Sequence, residues 1–221
     1  ADDHAKEESD ELKPLTTYAR SKVAAEKDLK PLASNDFNVT CLRFATACGY
    51  SNRLRLDLVL NDFVAGAVAT KQIGILSDGT PWRPLIHVLD MAIAIDWAIG
   101  RETSNGGSFL AINTGSNAWN YQVAELAGAV AKIIPDTAVS VNPDAPPDKR
   151  SYKVNFDRYE TLAPNHQPQF TLDDTIEDLY GKLSEMGFSD ARFRESQHIR
   201  LKTLDKLQKL QLLNENLSWN F

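Results

Sequence analysis

From residue 38 to residue 141, short β-branched, apolar runs alternate with longer helical stretches, and this alternation restricts the chain to one class of architecture. Residues 38–44 (Asn-Val-Thr-Cys-Leu-Arg-Phe) have the continuous apolar character of a strand buried on both faces, as in a parallel sheet. A helix is predicted over 56–70. Short strands at 73–76 and 84–88 flank the turn Ser77-Asp-Gly-Thr-Pro81. A helix over 90–99, a strand over 108–113 and a helix over 121–134 follow. An edge strand at 138–141 leads into the Pro-rich loop 142–148. Strands alternating with helices specify an α/β fold. Ahead of this region, Pro14, Thr16 and Thr17 open a strong helix. Residues 1–13 are charged and aperiodic, an exposed loop or ragged terminus. The last quarter is helical, clearest at 172–186. Leu201, Leu204, Leu207, Leu210 and Leu213 recur every third position and predict a terminal helix packed on the body.

Composition removes several classes of function. The 24 basic against 30 acidic residues give a net charge of −6, and no Lys/Arg run could hold a phosphate backbone, so nucleic acid is not an expected partner. No apolar run reaches the ~20 residues of a membrane span, and the acidic first residues do not resemble a signal peptide. Cys41 and Cys48 have neither zinc-site spacing nor the density of a disulfide scaffold, which predicts reduced thiols, no metal and a cytoplasmic location.

The most informative residues are Tyr18 and Lys22, in Tyr18-Ala-Arg-Ser-Lys22. Four apart on a helix, they lie on one face and can address one site. A free phenol, with a pKa of about 10, is a poor base at neutral pH. A neighbouring ammonium favours the phenolate and brings it toward a working range. The spacing alone also fits an ordinary surface pair. Its setting is more specific: Pro14, Tyr18, Ser21, Lys22 and Glu26 resemble the Pro-x-x-x-Tyr-x-x-Ser-Lys-x-x-x-Glu helix of the extended short-chain dehydrogenase/reductases, specifically the NAD-dependent nucleotide-sugar epimerases and dehydratases.

Four later segments match that family in order. Leu42-Arg-Phe-Ala-Thr-Ala-Cys-Gly49 resembles Leu-Arg-x-x-Asn-x-x-Gly, with Thr46 in place of the substrate-touching asparagine and Ala45 beside the cofactor. The run from Ile75 to Asp90 resembles Gly-x-x-x-x-Arg-Asp-(Phe/Tyr)-Ile-His-Val-x-Asp, the most specific match, although Pro84 replaces the aspartate. By this resemblance Arg83 binds a substrate diphosphate, as a guanidinium forks onto phosphate oxygens, and His87 packs rather than catalyses. Residues 109–115, followed by the helix from Tyr121, resemble the family's Tyr-Asn-Ile-Gly strand and the helix after it. The loop around 147–156 resembles one whose arginine, here Arg150, closes over the diphosphate, with Asp148 facing a nucleotide ribose. Asn61 is placed near the nucleobase, or else on a helix surface.

The resemblance implies the C-terminal part of a Rossmann-type parallel sheet plus a small α/β substrate lobe. Residues 14–55 with parts of 82–115 would be the remnant of the NAD-binding domain. Residues 56–81 and 116–221 would form the substrate lobe with terminal helices. Tyr18 is the expected general acid/base. Lys22 tunes it and, with Tyr18, binds the NAD ribose; NADP is not distinguished. The family's Gly-x-x-Gly-x-x-Gly turn is missing from these residues. The chain is therefore expected to be a truncated piece of a homodimeric enzyme, inactive alone. Two rivals remain: a reductase of a non-nucleotide substrate in the same superfamily, and a non-catalytic binding or assembly module.

Overall fold

The computed structural model describes residues 4–142 and 151–220. Helix α1 (Thr17–Leu29) is followed by strand β1 (Val39–Phe44), β2 (Thr46–Cys48), helix α2 (Val59–Thr70), β3 (Gln72–Ile75), β4 (Trp82–His87), α3 (Val88–Gly100), β5 (Phe109–Thr114), β6 (Asn120–Gln122), α4 (Val123–Ile133), β7 (Ala138–Val141), α5 (Asp157–Leu162), α6 (Leu172–Glu185) and α7 (Arg200–Lys209). The α/β class and the order of its elements follow the sequence pattern. Among the described residues, no helix is long and apolar enough to cross a membrane.

The chain divides into two units. The first comprises Ala1–Ala47, Pro81–Gln122 and Asp148–Phe170. In it β1 and β5 pair in parallel, from Val39 opposite Phe109 to Phe44 opposite Thr114. A core of Ala94, Trp97, Leu110, Ile112, Tyr159 and Ala163 lies against this pair, with Trp97 meeting Tyr159 edge to face. A smaller cluster joins Ala45, Ile86 and Phe156. Gly115 is required there, because a Cβ would stand 2.8 Å from the Phe156 ring.

The second unit comprises Cys48–Thr80, Val123–Pro147 and Thr171–Phe221. Its β3 and β7 pair in parallel, and α2, α4 and α6 pack on one another through buried residues that include Leu60, Val64, Leu126, Val130, Ile176 and Leu179. Helix α6 opens with a capping box in which the Thr171 hydroxyl accepts from Asp174 N and the Asp174 carboxylate accepts from Thr171 N.

Three expectations meet a different outcome. Residues 4–13 are not a free terminus. Lys6 forms a parallel bridge with Val154, and the Glu8 carboxylate accepts from Asn113 N at 2.9 Å. The expected helix from Tyr121 begins two residues late, because 120–122 are drawn into an antiparallel ladder with β4. Within the first unit, Asn120 holds both the N–H and the carbonyl of Val154. Finally, α7 buries none of its residues: Leu201 is exposed, Leu204 and Leu207 are half-buried, and beyond the helix Leu210 is exposed while Leu213 is buried. A three-residue spacing drifts around a helix of 3.6 residues per turn, so the leucines do not stay on one face.

Candidate active site

Helix α1 owes its start to Thr16, an extended residue whose hydroxyl accepts from Ala19 N at 3.1 Å. Pro31 lies in the short 3-10 turn that follows it. None of its residues is fully buried. Only Ala19, Val23 and Glu26, at i, i+4 and i+7, are half-buried, and they form the stripe that faces the body. Tyr18 and Lys22 sit beside that stripe, and Tyr18 is 72% exposed. The Lys22 ammonium lies 5.3 Å from the centre of the Tyr18 ring. The two side chains thus share one open face, as the spacing predicts.

Ala45 and Thr46 stand where β1 passes into β2. Ala45 is buried, donates its N–H to Thr114 O at 3.0 Å, and belongs to the Ile86–Phe156 cluster. Thr46 is half-buried. Arg83 is half-buried on β4 opposite Tyr121, and its Nη1 donates to Trp82 O at 2.8 Å. Pro84 is tolerated in this strand beside Asn120 despite having no N–H. Trp82 is fixed from another part of the chain: its N–H donates to Ser151 Oγ at 3.0 Å, and the Lys153 ammonium lies 4.0 Å from its ring centre.

His87 is built into the packing. It is buried, its Nδ1 accepts from Leu89 N at the start of α3, and its ring stacks on Phe170 at 3.9 Å. Asp90 is also buried and accepts from Gln169 N and Phe170 N. Burial holds its carboxyl above the usual carboxylate range, against the pull of those two bonds and of His87.

Asn61 lies in the second unit and is neither exposed nor open to a ligand through its amide. Its Oδ1 accepts from Gly49 N, and its Nδ2 donates to Gly49 O and Arg55 O. It bolts the 49–55 loop to α2. Arg150 and Asp148 lie outside the described residues. A cleft of about 240 Å³ lies by Gly115, Asn117, Phe156 and Gln167. Its amides are engaged with the Asp157 carboxylate, Phe156 N and Ala163 O, so it offers a ligand little.

One set of residues escaped the sequence reading. Arg43 on β1 forks onto Glu26 of α1, with Nε to Oε1 at 2.9 Å and Nη2 to Oε2 at 2.6 Å. That bidentate bond raises the Arg43 pKa further. Both residues stand inside recognised motifs, but nothing in either motif says that they meet.

Comparison with known proteins identifies the family and the fold. The model of the NAD dependent epimerase/dehydratase family matches residues 1–115, just over half of the 221. UDP-glucuronic acid 4-epimerase from Bacillus cereus, solved with UDP-glucuronic acid and NAD, is 20% identical with a TM-score of 0.68, covering 83% of this chain and 57% of its own. UDP-glucose-4-epimerase from Stenotrophomonas maltophila, with NAD and formylated UDP-arabinopyranose, is 19% identical with a TM-score of 0.67, covering 81% and 58%. An NAD-dependent NDP-hexosamine 5,6-dehydratase of tunicamycin biosynthesis is 17% identical with a TM-score of 0.68, covering 84% and 59%. These likenesses establish the fold, and the chain spans less than three-fifths of the length of each of the three. With more than half of its residues matched, Tyr18 and Lys22 among them, the chain belongs to the NAD dependent epimerase/dehydratase family.

Proposed function

We propose that this chain supplies the acid/base and substrate-binding part of an NAD-dependent epimerase or dehydratase of nucleotide-diphosphate sugars. The observation that carries the reading is the open face of α1, where Lys22 approaches the Tyr18 ring. Tyr18 takes a proton from a sugar hydroxyl and returns it. Lys22, whose ammonium lies 5.3 Å from the centre of the Tyr18 ring, is the cation assigned to the same site. Both side chains are exposed together, as contact with the ribose and nicotinamide end of a dinucleotide requires, and Ala45 is assigned to the same cofactor. When bound, NAD supplies the hydride acceptor and donor. Arg83, with Arg150, neutralises the substrate diphosphate, and Thr46 is assigned a hydrogen bond to the sugar. Asp148 is assigned to the nucleotide ribose. Asn61 acts indirectly by shaping the loop 49–55.

The test uses the whole natural protein. Tyr18→Phe is expected to abolish turnover of a nucleotide sugar while nucleoside-diphosphate affinity stays within about threefold, a difference under 1 kcal/mol. Loss of both together would sink the reading. Failure of the wild-type protein to bind any nucleoside diphosphate would favour the reductase rival, in which Arg83 has no phosphate to hold.

A further inference from the structure

The segment before α1 does more than connect. Lys6 donates its N–H to Lys153 O at 2.8 Å and accepts from Asn155 N at 2.9 Å, a single parallel bridge to Val154. Asn113 Nδ2 donates to the same Lys6 carbonyl at 3.2 Å. Two residues on, Glu8 spans a ladder pair. Arg43 and Asn113 are direct partners across β1 and β5. The Glu8 carboxylate accepts from Asn113 N at 2.9 Å, while its carbonyl accepts from Arg43 Nη1 at 3.3 Å. The rest of the Arg43 guanidinium is forked onto Glu26 of α1 at 2.9 and 2.6 Å. At the far end, Ser151 and Lys153 hold Trp82, the residue before Arg83.

We infer that residues 6–8 are a strap coupling the Tyr18 helix to the strand that carries Arg83, with Glu8 and Arg43 as positioning residues. This rests on the reading of Tyr18 and Arg83 given above. The path runs from Trp82 through Lys153, Lys6, Glu8 and Arg43 to Glu26, and the Glu8 carboxylate on Asn113 N is the side-chain anchor that holds the Glu8 carbonyl against Arg43. Every step is a hydrogen bond, an ion pair, a ring contact or one or two residues of chain, so displacement at one end has a physical route to the other. Helix α1 is the element most open to such a bias, because its body-facing stripe is only half-buried and Glu26 is its fixed polar tie. A diphosphate settling on Arg83 would draw on β4 and, through the strap, set the pitch of the face that presents Tyr18 and Lys22.

The experiment is NMR of the chain labelled with 13C at the tyrosine Cζ atoms, the Tyr18 line being identified by its loss in Tyr18→Phe. Uridine diphosphate is the probe. The expected result is that it shifts the Tyr18 line in the native chain. In Glu8→Ala it should bind within about threefold of its native affinity, under 1 kcal/mol, and leave that line in place. Glu8→Gln, which retains an oxygen for Asn113 N–H, should restore the shift. An equal shift in Glu8→Ala and native protein overturns the strap. If uridine diphosphate does not bind the native chain, the diphosphate reading of Arg83 fails separately, and ligand-free spectra judge the strap. Trp82→Ala should then move the Tyr18 line in the native background but not in Glu8→Ala, and an unmoved line in both overturns it.

Discussion

Helices α1 and α2 are nearly equal in length, and both were marked as bordering the ligand, yet they are held in opposite ways. Helix α2 buries Leu60, Asn61, Phe63, Val64, Ala65, Gly66 and Ala67. Helix α1 buries no residue completely and touches the body through Ala19, Val23 and the Glu26–Arg43 pair. Residues that fill α2 are explained by packing alone. The small residues and the Tyr18–Lys22 pair of α1 are not, because little is packed against them. A helix so weakly buried is spelled by what it presents, whereas α2 is spelled by what it packs against.

The contrast has ordered consequences. Leu60 is completely buried, so Leu60→Ala should cost about 2–5 kcal/mol in urea unfolding. A cost under about 1 kcal/mol would mean that α2 is not core. Asn61→Ala strands Gly49 and Arg55 backbone groups and should cost about 1–3 kcal/mol. In nucleoside-diphosphate titrations it should act no more strongly than its stability loss explains. A direct base contact would instead weaken binding in a protein that remains folded.

A pair of tyrosines extends the contrast. Tyr159 is fully buried, donates its hydroxyl to His166 O, and has its pKa pushed up by burial, and by the Asp90 charge, to about 12. Its folded pKa lies above the unfolded value of about 10, so its contribution to stability is complete below pH ~10 and declines as pH rises toward 12. Alkaline titration of phenolate absorbance should lose its latest component in Tyr159→Phe, and Tyr18→Phe should leave that component intact. At α1 itself, Thr16→Ala removes the hydroxyl that caps Ala19 N and should cost about 1 kcal/mol, felt as fraying of the first turn. Tyr18→Phe should change global stability by no more than about 0.5 kcal/mol. A larger loss would make Tyr18 a packing residue.

The sequence revealed most of the architecture because its signals are local. The continuous apolar run of β1, the β5 strand and the α6 helix are each set by residues close together in the chain. What escaped was set by partners far away. Residues 4–13 look aperiodic because their order comes from Asn113, Lys153 and Asn155, more than a hundred positions on. Residues 120–122 read as helix because their pairing with Trp82, Arg83 and Pro84 is invisible locally. The leucines at 201–213 suggested a packed stripe, but their spacing does not follow the helical period. For the proposed site, the motif supplied Tyr18, Lys22 and Arg83. It did not supply the Glu8–Arg43–Glu26 chain, since an ion pair across strand and helix has no fixed spacing in sequence.

The central claim, that α1 is displayed rather than packed, is tested most directly by native-state hydrogen exchange on both helices in one sample. Helix α2 amides should exchange near the limit set by global unfolding, and α1 amides by local opening at least ~100-fold faster. Equal protection of the two helices, with both lost together in denaturant, would contradict the account and make α1 part of the cooperative core.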